Sequence, residues 1–216
     1  MRRTDTVRSG RRGRVTVAAA AATLVLLGGG LWWWQPWKSA DVPVGACWGI
    51  VTAGNLRTLM SDEGKAVEVP TDADLSGRSA TADCYVSWRP EQTDPVVRIE
   101  VRQVDERSYR ATRDEATEWV RVGQSTELAF GTGVEGWLQD NYAPLLILKC
   151  DSGRSARPEA VYRKISVWGD FLTSDLPRPE RTQLFVDLAR RTAAEVVRQE
   201  GCPDVRIADR APAVAG

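Results

Sequence analysis

Hydrophobic and polar residues alternate in several short segments in the middle of the chain. In the segment 96–104, Val97, Ile99 and Val101 occupy every second position, and charged residues stand between them. This two-residue period predicts a strand with one buried and one solvated face. Alternating or continuous apolar runs predict further strands at residues 65–69, 82–89, 127–130, 136–139, 145–150 and 160–168.

Three segments are predicted to be helical. They are residues 53–60, residues 105–119 and residues 179–199. The last segment places Phe185 and Val196 on one face, as the 3.6-residue period of a helix requires. Strands that dominate the middle of the chain, with helices between and after them, predict an α+β fold in which helices flank an antiparallel sheet.

The N-terminal region has the pattern of a membrane anchor. Residues 1–14 contain six arginines and one aspartate, and residues 15–34 contain no charged residue. A helix of twenty residues is ~30 Å long, the thickness of the hydrocarbon layer of a bilayer. Arginines stay on the cytoplasmic side, so we expect the N-terminus inside the cell and the rest of the chain outside.

These patterns divide the chain into five segments. The predicted order is a cytoplasmic basic tail at 1–14, a transmembrane signal anchor at 15–34, a linker at 35–46, an extracytoplasmic α+β domain at 47–204 and a flexible tail at 205–216. The expected location is the cell membrane, with a single span and the lipid bilayer as a partner. The alternative is a cleaved secretory signal, which would release the rest of the chain as a secreted protein.

Composition and charge narrow the chemistry. The chain has 216 residues, 29 basic and 29 acidic residues, and no histidine. Without histidine there is no Ser/His/Asp or Cys/His nucleophile system and no imidazole metal site. Residues 15–216 contain 23 basic and 28 acidic residues. This negative excess repels phosphate, so we expect no nucleic-acid partner.

The four cysteines predict two disulfides. Cys47, Cys84, Cys150 and Cys202 all follow the predicted span, where an oxidising exterior preserves disulfides. Four cysteines allow three pairings. If the strand at 145–150, the next strand and the last helix reverse direction at each step, the helix ends beside Cys150. The prediction is therefore Cys150 with Cys202 and, by elimination, Cys47 with Cys84.

One loop resembles a calcium-binding loop of the EF-hand type. The oxygen ligands of such a loop alternate, as do Asp72, Asp74 and Ser76 here. Gly77 stands at the position of the turn glycine, and Asp83 stands at the twelfth position. Calcium is the one cofactor that this pattern suggests. The alternative is a surface loop built on Asx turns, because Asp replaces the usual Glu and a strand follows instead of a helix.

Two sets of side chains could act on or bind sugars. A histidine-free glycosidase would need a pair of carboxylates, and the candidates are Asp114, Glu115, Glu118, Asp140 and Asp151. Charge pairing on a solvated helix is the alternative for those at 114–118. Tryptophans could stack on sugars or fill the core, and the candidates are Trp48, Trp88, Trp119, Trp137 and Trp168.

The layout resembles a group of proteins. Arginine outnumbers lysine 25 to 4, and the outer domain opens with Cys47-Trp48-Gly49 and closes with a helix ending in Glu200-Gly201-Cys202. Together with the arginine-rich start and one span, this resembles the uncharacterised single-pass envelope proteins of actinomycetes with a disulfide-bonded extracytoplasmic domain. The resemblance implies binding more than catalysis and identifies no functional residue.

Three functions remain open at this point. The first is a membrane-anchored extracytoplasmic domain that binds a small ligand or an envelope protein. The second is a carboxylate-dependent cell-wall hydrolase, and the third is a purely structural envelope protein. The first is the expected function, and we therefore expect binding in place of enzymatic activity.

Overall fold

The structure is a computed structural model. It describes residues 42–60, 65–70, 74–88, 95–169 and 176–214, which all belong to one compact unit, Ala40–Gly216. The predicted basic tail, the predicted span and most of the linker fall in residues 1–41, outside the described residues. Within the ranges given above, no helix is both long and apolar enough to cross a bilayer.

The described unit is an α+β domain with eleven strands and three helices among its described residues. The strands are β1 (Gly45–Ala46), β2 (Val51–Thr52), β3 (Ala66–Pro70), β4 (Thr81–Trp88), β5 (Pro95–Val104), β6 (Ser125–Glu127), β7 (Gly131–Thr132), β8 (Val134–Gln139), β9 (Ala143–Lys149), β10 (Tyr162–Trp168) and β11 (Arg206–Ile207). The helices are α1 (Ala53–Leu59), α2 (Glu106–Arg121) and α3 (Arg178–Glu200).

Seven strands form one antiparallel sheet in the order β3-β4-β5-β10-β9-β8-β6. The sheet contains two three-stranded meanders, β3-β4-β5 and β8-β9-β10, which meet where β5 pairs with β10. A helix follows each meander along the chain, α2 after the first and α3 after the second. The predicted antiparallel sheet with flanking helices is confirmed at this level.

The two faces of the sheet are covered differently. On one face, α3 packs against β9 and β10, and the main core includes Ile165, Phe185 and Leu188, each fully buried. On the other face, α2 packs near β6 and β8, where its Ala116 contacts a smaller cluster that includes Trp137. Side chains alternate between the two faces along each strand, so the helices cover opposite sides.

Local signals account for where the helices begin and end. Thr52 caps α1 by accepting a hydrogen bond from the backbone N–H of Asn55, and the Asn55 side chain accepts one from the N–H of Thr52. Asp105 caps α2 through the N–H of Ser108. Gly201 ends α3 in the left-handed conformation, at φ 72°. All three predicted helices lie within two residues of these bounds.

The C-terminal segment differs from the flexible tail predicted at 205–216. Val205 is buried, β11 pairs with β7, and the amide of Gln183 on α3 hydrogen-bonds the backbone of Pro212 and Val214. The prediction followed from the position at the chain end, where chains are commonly loose, but Val205, Ile207, Ala211 and Val214 pack in or against the main core. Residues 205–214 are therefore part of the domain.

The end of the predicted linker also belongs to the domain. β1 pairs with β2, and Ala46 is buried in the main core. Val42 packs against the same core. Two-residue strands carry no periodicity, so the sequence pattern placed the domain start too late, at Cys47.

Candidate functional site

One half of the α2 side of the sheet is an open polar surface. Beside the region that α2 covers, side chains of β4, β5 and β10 remain partly exposed. We call this surface the open face and define it by Thr81, Asp83, Tyr85, Arg98, Glu100, Arg102, Lys164, Ser166 and Trp168. The pairing register arranges them in three rows across the strands: Tyr85-Arg98-Trp168, Asp83-Glu100-Ser166 and Thr81-Arg102-Lys164.

The first row places an arginine between two aromatic rings. The Arg98 guanidinium carbon lies 5.2 Å from the Trp168 ring centroid and 6.0 Å from that of Tyr85. Asp83 accepts hydrogen bonds from Arg98 Nε at 2.9 Å and Nη2 at 2.5 Å, and this hydrogen bonding raises the pKa of Arg98. Cation–π attraction and the ion pair together fix the guanidinium on the surface.

The other rows contain one paired and one unpaired cation. Arg102 pairs with Glu100, its neighbour on β5. Lys164 stands opposite Arg102 on β10, and among the residues that the structure describes it has no ion-pair partner. The open face therefore presents a positive charge that no described carboxylate neutralises.

A cleft continues from the third row of the open face. It has a volume of about 290 Å³, and its lining includes Thr81, Arg102, Asp105, Ser108, Arg157 and Glu159. Thr81 and Arg102 thus belong to both the open face and the cleft. Hydroxyl, guanidinium and carboxylate groups dominate these polar side chains, so the cleft suits a ligand rich in hydrogen-bonding groups.

A buried glutamine fixes the loops beside this cleft. Gln103 Nε2 donates hydrogen bonds to the carbonyl oxygens of Gly77 and Ser79 at 2.5 and 3.0 Å. Its Oε1 accepts from the Ser155 hydroxyl at 2.8 Å and from the Arg157 backbone N–H at 3.3 Å. One amide therefore joins two loops from distant parts of the chain, and the sequence pattern gave no sign of it.

The two disulfides join the predicted pairs. Cys47 and Cys84 are bonded, with Cα atoms 5.4 Å apart, and Cys150 and Cys202 are bonded, with Cα atoms 4.6 Å apart. The helix α3 does finish beside the end of β9, as the reversal of direction predicted. Among the described cysteines none is free.

A buried ion pair lies beside the second disulfide. Arg163 on β10 and Glu200 on α3 are 1% and 2% exposed, and their shortest nitrogen-to-oxygen distance is 2.6 Å. Arg163 Nη1 also donates to the carbonyl oxygens of Ala160 and Tyr162. A Glu200 oxygen lies 3.7 Å from Cys150 Sγ. The pair links the sheet to the end of α3 and is structural in character.

The loop that resembles a calcium site has other partners in this structure. Asp74 Oδ1 accepts the N–H of Ser76 at 3.0 Å, an Asx turn, and Oδ2 accepts from Arg78 at 2.5 Å. Hydrogen bonds from Ser76 and then Arg78 lower the pKa of Asp74. Asp83 lies on the open face beside Arg98, and Asp72 is outside the described residues. Calcium binding at this loop stays a prediction.

A different group of side chains has metal-ligand spacing. Cys47, Glu68 and Cys84 place one ligand atom each within 4.8 Å of one another. Both sulfurs are joined in a disulfide, and cysteine binds a metal ion as the free thiolate. Glu68 Oε1 accepts the Cys47 backbone N–H at 2.8 Å. While the disulfide is formed, the group therefore does not fit a metal ion, and Glu68 supports the disulfide.

The predicted hydrolase carboxylates are scattered over exposed positions. Asp114, Glu115 and Glu118 lie on the exposed side of α2, and Glu118 pairs with Arg121. Asp140 and Asp151 lie at opposite ends of β9. A seven-residue strand is ~23 Å long, and a glycosidase pair is within ~10 Å. The last two are thus too far apart to form such a pair.

The tryptophans divide between the core and the surface. Trp88 and Trp137 are buried, and Trp48 packs against the main core. Trp119 on α2 and Trp168 on the open face are half-buried. Of the five candidates, Trp168 is the one that the register places beside a cation, Arg98, with a second aromatic ring on the other side of that cation.

Comparison of the chain with known protein families, with curated proteins and with solved structures finds no match.

Proposed function

We propose that this chain is an envelope protein whose disulfide-bonded domain binds a ligand outside the cell, held at the membrane by residues 15–34. Two disulfides support an oxidising compartment, because thiols are kept reduced in the cytosol. The uncharged run after six arginines supports the anchor. Binding would use the open face, which the helices leave accessible.

The observation that carries this proposal is the row Tyr85-Arg98-Trp168. Large aromatic rings bury more surface than other side chains and are commonly placed in cores. Here two of them stay partly exposed on the two strands that flank β5, with a cation held between them by Asp83. Exposed aromatic and arginine side chains are the groups that dominate recognition surfaces.

Site-specific crosslinking in native membranes tests the proposal. A photoreactive residue at Thr81, which is exposed on the open face, is introduced into the full chain. We expect a defined adduct by mass spectrometry that is lost when Trp168→Ala is added. Position Glu115, exposed on α2, is the control and should give no such adduct. Equal adducts at both positions, or none, would contradict binding at the open face.

The hydrolase alternative can be tested on the same face. Asp83 and Glu100 are cross-strand neighbours in the register, and arginines hold both carboxylates. A binding domain predicts no release of reducing ends when the full chain is incubated with purified cell-wall glycan. Release that disappears in Glu100→Gln without loss of folding would favour the hydrolase over binding alone.

A further inference from the structure

We propose that the open face binds an acidic glycan, an extended oligosaccharide that carries carboxylate groups. This inference rests on the proposed function and names the ligand class of the same surface. Three observations carry it: the exposed aromatic row, the alternation of donors and acceptors around it, and the unneutralised cation beyond it.

The aromatic row provides the apolar part of the recognition. Tyr85 and Trp168 stand on either side of Arg98 at one level of the sheet. Their rings offer flat apolar surface with a polar tip, which suits a sugar ring that has apolar C–H faces and polar edges.

The middle row provides both donors and acceptors. Asp83 and Glu100 accept hydrogen bonds, Ser166 can donate or accept, and Arg98 and Arg102 donate. Sugar hydroxyls also donate and accept, so they can match an alternating set. Arg98 Nη1 has no hydrogen bond to any residue that the structure describes, which leaves a donor for the ligand.

Lys164 in the third row provides the charge selection. Lys164 lies four residues before Trp168 on β10, a distance of ~13 Å along the strand. Its charge is unneutralised among the described residues, whereas in the cleft beside it the arginines Arg102 and Arg157 stand together with the carboxylates of Asp105 and Glu159. A carboxylate bound here would be ~13 Å from a sugar ring at Trp168, so the ligand must extend over more than one sugar.

The size of the open face argues against a second copy of the chain as the occupant. Three strands at ~4.8 Å spacing and ~13 Å of length give a surface of roughly 200 Å². A stable protein interface needs about 800 Å² on each partner. A linear chain of sugars fits the smaller area.

Equilibrium dialysis of the full chain in detergent tests the ligand class. The probe is a labelled oligosaccharide of alternating glucuronate and N-acetylglucosamine, compared with its carboxyl-reduced form and with polyglutamate. We expect binding of the acidic glycan above both other probes. Trp168→Ala should weaken it about tenfold, which corresponds to ~1.4 kcal/mol. Lys164→Gln should weaken it about threefold and more at low salt.

Matched controls separate recognition from folding. Trp119→Ala removes a half-buried tryptophan on α2, away from the open face, and should leave the affinity unchanged. All variants should keep the melting temperature of the parent within a few degrees, and a Trp168→Phe variant should restore most of the affinity that Trp168→Ala loses.

Each other outcome overturns the proposal. If polyglutamate binds as tightly as the acidic glycan, the open face recognises negative charge and not sugar. If the carboxyl-reduced probe binds as tightly, the open face does not select for the carboxylates. If no glycan binds while the Thr81 crosslink still depends on Trp168, the ligand class is wrong and the proposed function stands. If the Thr81 adduct also fails, the proposed function fails as well.

Discussion

At the scale of single residues, a glycine and a buried ion pair depend on each other. Gly77 has φ +84°, and a Cβ atom there would lie 2.7 Å from Glu200 Oε2. The loop can therefore lie over the Arg163–Glu200 pair only because residue 77 has no side chain. The motif that resembled a calcium loop needs its glycine for this contact, which explains the glycine without an ion.

Gly77→Ala should destabilise the domain more than a positive-φ glycine elsewhere. Alanine is strained in the left-handed backbone conformation, and its Cβ atom would push against the Glu200 carboxylate. We therefore expect a loss of about 3 kcal/mol in the free energy of unfolding. Gly153→Ala is the matched control, at φ +66° with nothing within 4 Å, and should lose about 1 kcal/mol. Denaturant unfolding of the full chain in detergent measures both, and equal losses would contradict the clash.

Glu200→Gln should also destabilise the domain strongly. It leaves the Arg163 charge buried without a counter-charge, which costs about 3 kcal/mol or more. Glu118→Gln breaks an exposed pair on α2 and should change little in the same unfolding assay. A small loss for Glu200→Gln would mean that water reaches Arg163 in solution.

At the scale of elements, the last turns of α3 hold a pH-sensitive pair. A hydrogen bond from Arg198, with a further one from Gln199, lowers the pKa of Glu195 from its ordinary value of 4.5 to about 2. The folded chain therefore holds the ionised carboxylate more strongly than the unfolded chain does. Its stabilisation is complete above pH 4.5 and is lost as the pH falls toward 2.

The variant Glu195→Gln should make this acid sensitivity shallower. Stability of the full chain is followed by thermal unfolding between pH 4.5 and pH 2. Other carboxylates also titrate in this interval, but they do so in both proteins, so the difference between the two reports on Glu195. We expect a smaller fall of melting temperature for the variant than for the parent over this interval. Parallel curves would show that Glu195 is not held by Arg198 in solution.

The elements that could be predicted are long enough to show a hydrophobic period, which is two residues in a strand and 3.6 residues in a helix. The strand with Val97, Ile99 and Val101 and the three helices lie close to their predicted bounds. The two-residue strands β1, β2, β7 and β11 could not be predicted, because so short a ladder depends on contacts between distant segments. The structure also places β6 at Ser125–Glu127, before the predicted 127–130.

At the scale of the whole molecule, the C-terminal segment closes one side of the main core. Its backbone pairs with β7 and with the Gln183 side chain, and Val205 is buried. A chain that ends after Asp204 should therefore melt at a lower temperature. A chain that ends after Val214 is the control and should melt with the parent. Equal melting of the two truncated chains would mean that the segment after Asp204 is loose in solution.

The open face could be predicted only in part. Alternation in β5 predicts a wet face with Arg98, Glu100 and Arg102, but not which strands stand beside it. Tyr85 and Trp168 reach this face because β4 and β10 flank β5, an order that single-strand patterns do not contain. The cysteine pairing was predictable because it depended only on the direction of consecutive elements.

The Cys47–Cys84 disulfide also determines how the domain resists force. It closes a loop of 37 residues that holds β2, α1 and β3, and it joins the start of the domain directly to β4. Tension applied at the amino end therefore passes through a covalent bond into β4, the second strand from one edge of the sheet. Stretched as a single molecule, the domain should gain the length of this loop, ~120 Å, only after a reductant opens the bond.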